Sequence, residues 1–187
     1  MKFEIFKLKN VTSTNDVAIN LIRKKNKKKG CVYAEKQTKG RGTHGKKWIS
    51  SKGNLFGSIF FPLEKKFPPT NEFSLINPII ISNIIGKFCN KKEISFKWPN
   101  DIFINKKKIC GILQEMITFN GKKFLIIGIG LNVLTNPTIK TKYKATNIFA
   151  ESNKKPTINK IINLITNSYE NFFLNLDTYN YDNLKKE

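Results

Sequence analysis

Ile94-Ser-Phe-Lys-Trp-Pro-Asn-Asp-Ile-Phe-Ile-Asn-Lys-Lys-Lys-Ile-Cys-Gly-Ile-Leu-Gln-Glu-Met116, followed by Lys123-Phe-Leu-Ile-Ile-Gly-Ile-Gly-Leu131, decides the fold class. Ile94 to Trp98 reads as a short strand stopped by Pro99. Ile102 to Asn105 and Lys108 to Met116 read as two strands joined by a tight polar turn at Asn105–Lys107. Lys123 to Leu131 is nearly all apolar, the pattern of a central strand. Consecutive strands with no helical period between them argue for an α+β fold rather than a regular βαβ wind.

Working outward, Leu55-Phe-Gly-Ser-Ile-Phe-Phe61 is a further strand, closed by Pro62, and Cys31-Val-Tyr-Ala34 runs as a strand into a glycine loop. Phe3-Glu-Ile-Phe-Lys-Leu8 alternates like an edge or half-buried strand. Ser13, Thr14 and Asn15 offer N-caps to a helix whose apolar stripe is Val17, Ala18, Leu21 and Ile22. Residues 70–89 predict a buried helix that is interrupted, or starts afresh, near Pro78. After a polar loop, Ile158 to Leu176 carries another helical stripe through Ile161, Ile162, Ile165, Phe172 and Phe173.

The 187 residues are long enough for a real core and predict a single domain over 1–187. Hydrophobic content of 40% and aromatic content of 12% exclude a disordered chain. Cys31, Cys89 and Cys110 are odd in number and widely spaced, and no signal peptide leads the sequence, which predicts a reducing, cytoplasmic setting. The longest apolar run, Phe73 to Cys89, holds Asn77, Pro78, Asn83 and Lys87 and is too polar for a membrane span. A formal charge of +21 carries two readings: a nucleic-acid or acidic-surface binder, or a drift toward lysine in overall composition. The lysines are scattered and rarely interleave with aromatics, and no nucleic-acid-binding motif accompanies them, so no nucleic-acid partner is expected.

Of 34 Lys and Arg residues only Arg23 and Arg41 are arginine, and Arg41 lies in Lys39-Gly-Arg-Gly-Thr-His-Gly-Lys-Lys-Trp48. A guanidinium between glycines suits a carboxylate or phosphate in a way an ammonium does not copy. Gly40 to Gly45 satisfies the dinucleotide pattern G-x-G-x-x-G, with Glu64 about 20 positions on. The segment after it has no helical period, so no helix N-terminus waits to receive a pyrophosphate. In Lys97-Trp-Pro-Asn-Asp101, Asn100 and Asp101 read either as an Asx-type turn or as an amide and carboxylate facing a nucleotide or hydrated Mg²⁺. Lys108 leads into an apolar strand and could point into a pocket. Gly128 and Gly130, inside an apolar strand that ends at Asn132, suggest close approach of a ligand or backbone.

Taken in order, Ser13-Thr-Asn15, Gln37-x-x-Gly-Arg-Gly-x-x-Gly-x-x-Trp48, Lys97-Trp-Pro-Asn-Asp101, Lys108-x-x-Gly-Ile-Leu and Gly-x-Gly-x-Asn132 closely resemble the catalytic domain of biotin protein ligases. The resemblance implies a mixed β-sheet flanked by helices, akin to class II aminoacyl-tRNA synthetases. It implies two half-reactions, in which biotin and MgATP give biotinyl-5′-AMP and the acyl group then passes to a lysine of a biotin carboxyl carrier protein. Arg41 and Lys108 would be the catalytic cations. Ser13, Thr14, Asn15, Gln37, Gly40, Arg41, Gly42, Thr43, Lys108 and Gly111 would line the biotin and adenylate site. Trp48, Asn100, Asp101 and Asn132 would serve ATP, with Asp101 nearest Mg²⁺. A homodimer is compatible with the family. The alternative on the same scaffold is a lipoate or octanoyl ligase or transferase, whose relatives carry a different loop.

Two further departures from the family are expected: no C-terminal β-rich domain after Asp182-Asn-Leu-Lys-Lys-Glu187, and no N-terminal DNA-binding winged helix before Phe3. The family loop commonly reads Gly-Arg-Gly-Arg, whereas this chain has Thr43, one cation fewer beside an adenylate; His44 could replace it in part when protonated. A Thr43→Arg variant should therefore release less acyl-adenylate into solution than the natural chain; equal release, measured by chromatography of quenched reactions, contradicts a role for this position.

Overall fold

The computed structural model describes residues 1–137 and 143–184. In chain order the elements are β1 (Ile5–Val11), α1 (Thr14–Lys25), β2 (Gly30–Gln37), β3 (Leu55–Pro62), α2 (Phe73–Ile85), β4 (Ile94–Lys97), β5 (Asp101–Ile104), β6 (Lys107–Phe119), β7 (Lys122–Leu131), α3 (Ile148–Ser152), α4 (Ile158–Leu174) and the short α5 (Tyr181–Leu184). The strands form one sheet in the order β1-β2-β3-β7-β6-β5-β4. Only β1 and β2 pair in parallel; every other neighbouring pair is antiparallel. The expected α+β class, a mixed sheet flanked by helices, is the one that forms.

Side chains alternate faces along a strand, and the central strand shows what each face is for. On β7, Leu125, Ile127, Ile129 and Leu131 are buried in the larger core. That core also takes Ile76, Ile81 and Ile84 from α2 and Ile161, Ile162 and Ile165 from α4. Phe124 and Ile126 point the other way, into a second core with Ala18 and Ile22 of α1, Val32 and Phe60. Beyond them on that second face come Gly128, Gly130 and Asn132. The α1 face is thus a packed core at one end and a bed of glycines at the other.

The helix near Pro78 departs from the sequence reading. It is continuous from Phe73 to Ile85, with Pro78 inside it. Proline removes only one intrahelical hydrogen bond, and the burial of Phe73, Ile76, Ile79, Ile81, Ile84 and Ile85 outweighs that loss. Strand β6 runs to Phe119, beyond the expected Met116, and α3 arises within the stretch read as a polar loop, its first turn capped by Asn147 Oδ1 accepting from Ala150 N at 2.8 Å. Part of that loop, 138–142, and the chain end at 185–187 lie outside the described residues. Among the described residues no helix is long and apolar enough to cross a membrane.

One polar chain crosses the larger core. The fully buried Tyr169 hydroxyl of α4 donates to Asn77 Oδ1 at 2.7 Å, and Asn77 Nδ2 donates to Gln114 Oε1 of β6 at 2.8 Å. Tyr169→Phe should cost about 1–3 kcal/mol, because it leaves a buried amide oxygen without a donor. Urea unfolding of the two proteins measures this, and an unchanged midpoint is the contrary result.

Candidate ligand site

A cavity of about 350 Å³ opens over the glycine end of the α1 face. Its floor is Gly128 and Gly130 of β7 with Gly111 of β6. A Cβ on Gly128 would stand 2.6 Å from Asn15 Oδ1, and one on Gly111 would stand 2.6 Å from Trp48 Cζ3. A Cβ on Gly130 would overlap the Trp48 indole itself. Glycine is required here because side chains from α1 and from the 39–48 loop lie directly on the strand backbone.

One wall is the start of α1. Ser13 stands at the N-cap, but its side chain makes no capping bond. Instead Gln37 Oε1 accepts from Thr14 N at 2.9 Å and from Thr14 Oγ1 at 3.2 Å. The Ser58 hydroxyl of β3 reaches Thr14 Oγ1 at 2.7 Å and also contacts Asn15 Oδ1. Ser13, Thr14 and Asn15, read from sequence as caps, are therefore buried residues that line the cavity.

The opposite end carries Lys108. Its side-chain direction depends on a bulge. β5 and β6 shift register between Ile102 and Phe103, so that Cys110 pairs with Ile102 while Lys108 pairs with Phe103. Ile109 and Cys110 are both buried in the larger core, and Lys108 lines the cavity together with Gly111. Unbroken alternation would have sent Lys108 to the core face with Cys110; the extra residue re-aims it. Lys108 Nζ pairs with Asp101 Oδ1 at 2.7 Å and lies 5.4 Å from the centre of the Trp48 ring.

The roof is the 39–48 loop, a small hairpin. Trp48 N donates to Gly40 O at 2.9 Å, Gly42 N to Lys46 O at 2.7 Å, and Arg41 bridges Lys47. At its tip His44 and Gly45 have φ of 53° and 71°, the left-handed region that Gly45 adopts without steric cost. Arg41 Nη2 pairs with Glu115 Oε2 at 2.6 Å, and Nη1 pairs with Asp16 Oδ1. Burial works against the Arg41 charge, and the hydrogen bonds to Asp16 and Glu115 outweigh it, so its pKa rises above the usual guanidinium value.

Of the residues singled out from sequence, Ser13, Thr14, Asn15, Gln37, Arg41, Gly42, Thr43, Trp48, Asp101, Lys108, Gly111 and Asn132 all line the cavity. Gly40 and Asn100 do not. Gly40 closes the hairpin, and the Asn100 carbonyl accepts from Ile112 N at 2.7 Å, which anchors the corner at the cis Trp98–Pro99 bond to β6. Sequence reasoning missed Ser58, Asp16, Glu115 and the lining lysines Lys46, Lys47 and Lys97. Glu115 was reachable, since it follows Gly111 and Leu113 at period 2. Nothing in the sequence pointed to Ser58.

Among the described residues, Arg41, Lys46, Lys47, Lys97 and Lys108 line the cavity with one carboxylate, Asp101; Arg41 is paired with Asp16 and Glu115, outside the lining, and Lys108 with Asp101 itself. Two buried polar atoms here have no hydrogen-bond partner among the described residues: the donor Trp48 Nε1 and the acceptor Asn132 Oδ1. The cysteines are buried, and burial pushes their thiols up, Cys31 to about 12, so at neutral pH they are protonated and poor nucleophiles. Positive side chains, an indole and apolar groups thus share one lining.

A sequence profile of the biotin/lipoate A/B protein ligase family matches residues 8–132. The bifunctional ligase/repressor BirA of Escherichia coli is 34% identical over 125 residues, 66% of this chain and 38% of its own length. This chain thus spans about two fifths of that curated relative. Among solved structures, biotin protein ligase from Leishmania major in complex with biotinyl-5-AMP is 28% identical, with a TM-score of 0.83 over 98% of this chain and 78% of that one. Biotin protein ligase from Aquifex aeolicus in complex with biotin and ATP is 29% identical, with a TM-score of 0.72 over 92% and 72% of the two chains.

The glycine floor makes a prediction of its own. Gly130→Ala should displace the Trp48 ring from the sheet and shift its fluorescence to the red, read in a Trp98→Phe background where Trp48 is the sole tryptophan. An unshifted spectrum contradicts the packing described here.

Proposed function

The chain belongs to the biotin/lipoate A/B protein ligase family, and from that premise we propose that it is an ATP-dependent biotin protein ligase. It forms biotinyl-5′-AMP from biotin and ATP and passes the biotinyl group to a lysine of a biotin carboxyl carrier protein. The observation that carries this reading is the cavity: among the described residues Lys46, Lys47, Lys97 and Lys108 line it against one lining carboxylate, Asp101, beside a glycine floor and apolar walls. The relatives solved with biotin and ATP, and with biotinyl-5-AMP, share the fold over nearly the whole chain.

In the first half-reaction a biotin carboxylate oxygen attacks the α-phosphorus of ATP, the bond to the β-phosphate oxygen breaks, and pyrophosphate leaves. Both reactants are anions, so their approach needs fixed positive charge. Lys108 supplies it at the cavity's inner end, aimed by the β6 bulge and held by Asp101. Ser13, Thr14 and Asn15 form the polar wall toward biotin, and Trp48 and Asn132 line the nucleotide side, where the indole offers a flat face on which a base can stack. In the second half-reaction the acceptor lysine, as a free amine, attacks the acyl carbon and AMP leaves. The adenylate is itself the activated acyl group, which accords with the inert thiols.

Among the described residues no three His, Cys, Asp or Glu side chains form a metal-binding group. That donor set does not make a protein cage, but it fits Mg²⁺ carried on nucleotide phosphates with Asp101 as the protein carboxylate. When bound, the ion would offset phosphate charge. Arg41, assigned from sequence to the same task as Lys108, has its charge shared by two protein carboxylates, Asp16 and Glu115.

Biotin-dependent exchange of labelled pyrophosphate into ATP tests the first half-reaction, and transfer of labelled biotin to a carrier domain tests the second. Lys108→Ala should lower exchange by about 100-fold or more, the usual effect of removing a preorganised group at developing charge. Exchange at the natural rate in that variant, or activity with lipoate and none with biotin, overturns the assignment.

A further inference from the structure

The backbone of Lys108 is bonded to a segment far along the chain. Its N–H donates to Lys144 O at 2.8 Å and its carbonyl accepts from Thr146 N at 2.9 Å, so that Ala145 bridges Lys108 in parallel. The Thr146 carbonyl in turn accepts from Asn132 Nδ2 at 2.9 Å. Residues 144–146 are thus the surface on which the start of β6 is set, next to the bulge that aims Lys108. A bulge interrupts the regular ladder, so the chain there depends on bonds from outside it.

Glu151 of α3 fastens this segment. Its Oε1 accepts from the Thr146 hydroxyl and pairs with Lys107 Nζ at 3.4 Å, and its Oε2 accepts from Asn105 Nδ2 at 2.7 Å. Asn105 lies in the β5–β6 turn, where it and Lys106 have φ of 48° and 60°, and Lys107 opens β6. The Glu151 side chain is only 7% exposed. Burial works against its charge, and the Thr146, Asn105 and Lys107 donors outweigh it, so its pKa falls below the usual carboxylate value. None of Glu151, Thr146, Asn105 and Lys107 lines the cavity. Resting on the function proposed above, we propose that Glu151 is a positioning residue for Lys108. Its carboxylate ties Thr146 to Asn105 and Lys107, and so fixes the backbone on both sides of Lys108 and the place where the ammonium stands beside Asp101. The bulge selects the face that Lys108 takes, and Glu151 holds the backbone that makes the selection.

A double-mutant cycle on the full chain tests this. Glu151→Ala should lower kcat/KM for biotin-dependent pyrophosphate exchange about tenfold, since small misplacements of a positioned group are costly. In a Lys108→Ala background the same substitution should cost less than about threefold, the remainder reaching the cavity through Asn132, because residues that act as a unit are not additive. A merely structural role would cost the same factor in both backgrounds. If Glu151→Ala fails to fold, Thr146→Val carries the same cycle: it removes only the hydroxyl that meets Glu151, and its loss of about threefold should vanish beside Lys108→Ala. Deuterium uptake reads the geometry without turnover. Peptides containing Lys108 and Thr146, measured in buffer alone and with biotin and ATP added, should take up deuterium about threefold faster or more in Glu151→Ala under at least one condition.

Equal losses in the two backgrounds overturn the proposal, and so does unchanged deuterium uptake at both segments under both conditions. Because uptake needs no turnover, a natural chain without biotin-dependent pyrophosphate exchange would refute the proposed function and leave the Glu151 contact to be judged on uptake alone.

Discussion

Everything at the candidate site depends on the two-residue period of β7. Its odd-numbered side chains, Leu125 to Leu131, seal the core under α2 and α4. Its even-numbered positions run Phe124, Ile126, Gly128, Gly130, Asn132. Bulk gives way to backbone halfway along one face of the central strand. Where the phenylalanine and isoleucine stand, α1 packs down; where the glycines stand, Asn15 and the Trp48 indole lie directly on the strand backbone and line the cavity there. A one-residue slip in register would exchange these faces and lose core and cavity together.

The neighbouring strand adds a local break in that same period. Without its bulge, β6 would place Lys108 on the core face, where an unpaired ammonium is costly to bury. The bulge instead gives Ile109 and Cys110 to the core and turns Lys108 onto the glycine floor beside Asp101. A regular sheet supplies rigidity, and one irregularity supplies the functional direction. The polar ends of the cavity are stabilised in the same spirit: Gln37 satisfies the first N–H of α1, so Ser13 is free of capping duty and faces the cavity.

The charge of the chain also reads differently in three dimensions. Its +21 is spread thinly along the sequence, yet four lysines and Arg41 converge on one cavity, where Asp101 is the one lining carboxylate among the described residues. Convergence in space gives the excess charge a local purpose without a run of basic residues. Arg41 is likewise not equivalent to an extra lysine. Only a guanidinium can hold Asp16 with one nitrogen and Glu115 with another, which explains an arginine in a chain that otherwise uses lysine.

Much of this was legible beforehand. Apolar period and turn residues located the seven strands and three longer helices, and the resemblance carried by the ordered motifs pointed to twelve residues that line one cavity. Local signals of that kind survive in sequence because alternation, turns and close backbone approach are each settled by neighbouring residues. What the sequence could not decide was long-range. The continuity of α2 through Pro78 rests on burial against elements far along the chain. The direction of Lys108 rests on register with β5. The partners of Arg41 lie 25 and 74 residues away, on a helix and a strand that meet only because the sheet brings them together. Sequence determined which chemistry was present; tertiary packing decided which charge faces which, since ion pairing depends on distance in space and is blind to separation along the chain.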